Sequence, residues 1–132
     1  MPMEKDNRSV TRNLALVLGA VLLLWLPFED TRTSWVSLLA VMICSLAGYF
    51  AVGKIPPEKR QRWYVYPITG VLAGLLVTQT IVLLMAFKSG IHGHGSPDFT
   101  PDQVTTVLNS WPIWALAGTL AGFLGLIWQK AH

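Results

Sequence analysis

Residues 63–87 read WYVYPITGVLAGLLVTQTIVLLMAF, and no side chain in that run carries a formal charge. Its 25 residues would extend about 37 Å as an α-helix, more than the ~30 Å hydrocarbon core of a bilayer. A surface helix of a soluble domain would show a charged face at helical spacing. This stretch shows only threonines, one glutamine and aromatic residues near its start. It therefore reads as a membrane-spanning helix and sets the class of the chain.

The rest of the sequence fits that class. Of 132 residues, 52% are hydrophobic and 13% charged, where a soluble domain carries about 25% charged residues. Upstream, residues 35–52 form an apolar run stopped by Gly53, Pro56 and Pro57. Downstream, residues 111–128 form another, with Pro112 in its first turn, where a missing amide hydrogen is tolerated. Near the N-terminus, LALVLGAVLLLWLPF at 14–28 follows a basic segment holding Lys5, Arg8 and Arg12. A basic segment before a leucine-rich run also describes a signal peptide. The Glu29-Asp30-Thr31-Arg32 that follows offers no small-x-small cleavage site, so the run reads as a first span with Arg12 snorkelling to the headgroups. The expected fold is all-α: a polytopic membrane protein with four transmembrane helices, at about 10–27, 35–52, 64–87 and 111–128, in a single domain 1–132.

Between the third and fourth runs lies the one long polar interruption, KSGIHGHGSPDFTPDQVTTVLNS at 88–110. Its second half predicts a short helix from Pro101 to Asn109. Thr100 stands at the N-cap, Pro101 at the first helical position, Asp102 in the first turn and Gln103 at the third, which is a capping-box pattern. Val104, Val107 and Leu108 recur at helical spacing, so this helix is expected to be amphipathic and to lie on the bilayer surface.

Basic residues set the expected orientation. With four spans, Lys5, Arg8, Arg12, Lys54, Lys59, Arg60, Arg62 and Lys130 fall on one side, and Arg32 and Lys88 on the other. Eight against two places both termini in the cytoplasm and the 88–110 loop outside, with a bacterial inner membrane as the expected location. Lys59, Arg60 and Arg62 are then expected to meet anionic lipid headgroups, each contributing about 1 kcal/mol near the surface. Four basic residues in a short hairpin make too small a footprint for nucleic acid, which is not an expected partner.

The chemistry-bearing residues are few. No ionisable side chain falls in the middle of any run, which argues against a pump, a proton relay or an ion-coupled transporter. The polar residues within the spans are densest at Thr78, Gln79 and Thr80, and Gln79 is expected to hydrogen-bond another helix. Gly70-Val-Leu-Ala-Gly74-Leu-Leu and Gly118-Thr-Leu-Ala-Gly122-Phe-Leu share one pattern, and Gly125 extends the second small face. Glycines four apart let helix backbones approach closely, so these five are expected helix-packing residues, within the chain or between copies.

In the polar loop, His92 and His94 would project to one side of an extended segment, with Asp98 close behind. Two imidazoles and a carboxylate suit a divalent metal, the one cofactor the sequence offers, although the spacing matches no strong metal motif. A glycine-rich turn with solvated histidines explains the same residues. There is no nucleotide-binding glycine loop, no Ser/His/Asp arrangement and no CxxC, and the single Cys44 lies inside an apolar run. The expected function is a non-catalytic accessory or assembly subunit of a larger membrane complex, its partner another membrane protein or a further copy. An outward-facing metal or ligand site at His92/His94, and a small oligomeric channel lined by Thr78, Gln79 and Thr80, stand as alternatives.

Overall fold

The computed structural model describes residues 3–25, 32–92 and 98–131, and among these the regular structure is entirely helical. Six helices follow in order: α1 (Met3–Trp25), α2 (Thr33–Lys54), α3 (Pro57–Arg60), α4 (Val65–His92), α5 (Pro101–Asn109) and α6 (Trp111–Ala131). Three of them, α2, α4 and α6, are long and apolar enough to cross a membrane. Such a set is compatible with a membrane protein.

The chain divides into two compact units, Met1–Asp30 and Thr31–His132. The first holds α1 alone. Its apolar part, Arg12–Trp25, is shorter than 18 residues, and Leu16, Leu23 and Leu24 on it are exposed. Residues 26 and 27, which the sequence reading counts in the first span, lie outside the described residues.

In the second unit α4 is the helix on which α2 and α6 both pack. Both run antiparallel to it. Along α2, Gly48 lies against Ala73 and Thr69, while Cys44, one turn earlier, meets Thr80 further along α4. Along α6, Gly122 lies against Tyr66 and Pro67, Gly118 against Gly70, and Trp114 with Ala115 against Gly74. At about 100° per residue, Gly70, Gly74, Val77, Ile81, Met85 and Lys88 share one side of α4. Of these, Val77, Ile81, Met85 and Lys88 are buried side chains.

That row corrects one boundary. A charged residue after a long apolar run reads as the start of a loop, which put the end of the third span at Phe87. Instead α4 continues through Lys88 to His92. Lys88 falls three residues after Met85 and seven after Ile81, so it continues the buried face rather than leaving it.

Candidate functional site

Three places in the second unit gather polar chemistry: the C-terminal end of α4, the middle of α4, and the α2–α4 hairpin. At the first, Lys88 has 0% exposure and is, among the described residues, the largest side chain so completely buried. It takes part in a polar or electrostatic contact, as does Asp98. The chain returns to α4 here: the Asp98 backbone N–H donates to Ser89 Oγ at 3.3 Å, and Phe99 is buried. Helix α5 then starts on a closed capping box. Gln103 N–H donates to Thr100 Oγ1 at 3.3 Å, and Thr100 N–H donates to Gln103 Oε1 at 2.8 Å. At its other end Ser110 Oγ donates to the Val107 carbonyl at 2.6 Å and accepts from Trp114 Nε1 at 3.1 Å, which links α5 to α6. Val107 is the side chain α5 buries.

The cap gives a direct prediction. Thr100→Ala removes the acceptor for the Gln103 amide and should cost about 1 kcal/mol of local stability. Hydrogen exchange at the Gln103 amide should quicken accordingly, while exchange in the middle of α4 stays unchanged.

Of the three expected metal ligands, His94 lies outside the described residues. His92 is the last residue of α4, and Asp98 stands beyond the undescribed segment with its backbone tied to Ser89. Among the described residues no group of three or more His, Cys, Asp or Glu gathers. Elemental analysis of the wild type beside a His92→Ala/His94→Ala variant addresses the metal directly.

In the middle of α4, Thr78, Gln79 and Thr80 point three ways. Thr80 Oγ1 donates to the Leu76 carbonyl at 2.8 Å and lies 3.4 Å from Cys44 Sγ, toward α2. Thr78 is 1% exposed and its hydroxyl has no hydrogen-bond partner. Gln79 is exposed, on the side of α4 away from α6. Its carboxamide makes no hydrogen bond among the described residues. Other hydroxyls in these helices bond their own backbone one turn back: Ser37 to Thr33, Thr69 to Val65 and Thr119 to Ala115. Thr78 and Gln79 depart from that pattern.

The glycines meet each other. A Cβ on Gly70 or on Gly118 would run into the other's carbonyl oxygen, and one on Gly74 into the Trp114 carbonyl. One on Gly122 would strike Tyr66 and lie 2.8 Å from Pro67 Cα. Gly125 is looser, its nearest neighbour the Tyr66 ring at 3.2 Å. Only glycine permits the α4–α6 backbones to touch over two turns.

At the α2–α4 hairpin, the three expected headgroup-binding cations differ. Arg60 Nη2 donates to the carbonyls of Gly53 and Ile55, both at 3.0 Å. It thereby closes the end of α2, where a cation also suits the helix dipole. Lys59 is exposed on α3. Arg62 is exposed and donates to the Tyr64 hydroxyl at 2.9 Å, a bond that raises its pKa above the ordinary value and leaves its charge fixed. Sequence reasoning missed two roles here, the burial of Lys88 and the capping by Arg60. The first had a signal in the Ile81, Met85, Lys88 spacing. The second had none beyond a basic residue close behind a helix end. Comparison with family models, with curated proteins and with solved structures finds no match.

Proposed function

We propose that this chain is a multi-pass integral membrane protein that works by packing against other membrane proteins, as a non-catalytic assembly or accessory subunit. The observation that carries this reading is the contrast between the two sides of α4. One side is committed to α6 by backbone contact, and the other presents exposed apolar side chains around an amide with no hydrogen bond among the described residues. The lack of any Asp, Glu, Lys, Arg or His in the middle of α2, α4 or α6 supports it further.

In this reading α1 is a fourth span, and α5 lies on the outer bilayer surface with its exposed Leu108 toward the acyl chains. The orientation does not depend on α1. If α2, α4 and α6 cross in alternation, Lys54, Lys59, Arg60, Arg62 and Lys130 share one side, against Arg32 and Lys88 on the other. The positive-inside bias then puts the hairpin and the C-terminus in the cytoplasm, with a bacterial inner membrane the simplest setting.

Affinity purification of the tagged chain after mild extraction tests the reading. A further copy or a membrane protein in fixed stoichiometry is the expected result. A stable lone chain from every mild extraction would count against it.

A further inference from the structure

Of the nine exposed residues described on α4, six fall at alternating spacings of four and three: Leu72, Leu76, Gln79, Leu83, Ala86 and Gly90, with Ile68, Phe87 and Ile91 the others. That is the 3.5-residue seam along which two helices wind around each other. The seam lies opposite Gly70 and Gly74, which pack on α6, and it is distinct from the α2 side marked by Ala73 and Thr80. Leu83 is 68% exposed, so the stripe is open where it is most apolar.

The polar member of the seam is Gln79. It lies about 21 Å along the helix from Val65 and about 18 Å from Ile91, at the middle of the candidate span. Hydrocarbon offers a carboxamide neither donor nor acceptor, and leaving one unpaired there is costly. A carboxamide carries both functions, an N–H₂ donor and a C=O acceptor, so its natural complement is a second carboxamide turned through 180°. A two-fold axis supplies that partner, because a residue at the axis meets itself. Copies inserted in the same orientation have that axis along the bilayer normal. Their α4 helices then run parallel, in the geometry in which one polar residue in an apolar seam fixes register and copy number.

We propose that two copies of this chain pair through α4, with the two Gln79 carboxamides donating N–H to each other's carbonyl at the centre of the seam. This rests on the reading of the chain as an assembly subunit and names its partner as a second copy.

The test uses the full chain in its native membrane, with Cys44→Ser removing the one native thiol. Single cysteines at Leu72 and Leu83, on the seam, are compared with Leu120→Cys on the exposed side of α6 under oxidative cross-linking. The expected result is a covalent dimer from both seam positions and none from Leu120→Cys. Gln79→Leu should weaken the pairing by about three- to twenty-fold, the range measured for hydrogen bonds between membrane helices, and Gln79→Asn should recover part of the loss. Equal cross-linking from α6, or pairing indifferent to Gln79→Leu, overturns the proposal. An adduct between a seam cysteine and a different protein overturns self-pairing while leaving the assembly reading intact. A lone chain at every position removes both.

Discussion

Gly118→Val should separate α4 from α6 and cost about 3 kcal/mol or more, at the upper end of what overpacking does to a close-packed contact. A Cβ at Gly118 already meets the Gly70 carbonyl oxygen, with Gly74 Cα at 3.0 Å behind it. Neither obstacle is a flexible side chain that could swing aside, so the helices must move apart as bodies. Separation then forfeits the dispersion contacts along the whole α4–α6 face, which is the main attraction left between helices once lipid removes the hydrophobic drive. Gly70→Val should match it, because the two glycines occupy opposite sides of one contact. The Gly70→Ala/Gly118→Ala double variant should cost less than the sum of its singles, since one separation relieves both clashes. Gly19→Ala is the control. Nothing lies within 4 Å of a Cβ there, and the change should stabilise α1 by up to about 1 kcal/mol through helix propensity. Unfolding midpoints in a denaturing-detergent titration would rank the two valine variants, the two alanine singles, their double and the Gly19→Ala control.

Lys88→Ala should destabilise the second unit by about 2–5 kcal/mol, the cost of cutting a long buried side chain back to alanine. Two losses combine. The aliphatic stem leaves a void in the row it shares with Ile81 and Met85, and the polar or electrostatic contact that Lys88 makes is lost. Lys88→Met retains most of the stem volume and separates the two effects. It should recover the packing share and leave the electrostatic share lost. Lys130→Ala, exposed in the last turn of α6, should change stability by no more than about 0.5 kcal/mol. If Lys88→Ala and Lys130→Ala behave alike, the burial of Lys88 has no energetic meaning.

These two residues also show what could be read ahead of the structure. Gly70, Gly74, Gly118 and Gly122 announced close helix approach because four-residue spacing puts small residues on one face whatever the partner turns out to be. The Thr100–Gln103 pattern was legible for a similar reason: a cap is local, and four consecutive residues determine it. Lys88 was not legible from charge alone. Hydropathy treats every lysine as a boundary, whereas burial depends on which side of the helix it falls and on what covers that side. The end of α4 is where Asp98 and Phe99 return and α5 packs against the helix, and no run of residues around Lys88 records that. Arg60 is a parallel case. Its neighbours Lys59 and Arg62 remain on the surface, yet the turn after α2 brings the Gly53 and Ile55 carbonyls within reach of Arg60 alone. Composition counts three equal cations, and geometry makes one of them a cap.

Gln79 carries the functional argument because it is legible in part. The sequence shows an amide in the middle of a candidate span, and in a membrane that implies a hydrogen-bonding partner. The fold adds that the amide faces away from α6, with an apolar seam of the same periodicity running past it. In the proposed pairing, that direction makes Gln79 an interface residue.

The most direct test of the assembly reading is native mass spectrometry of the chain cut from its own membrane in polymer-bounded lipid discs, with no detergent step. The account predicts that the 14.6 kDa chain appears in complexes, with a species at twice that mass that Gln79→Leu depletes. A spectrum holding only the single chain, in wild type and variant alike, would contradict it.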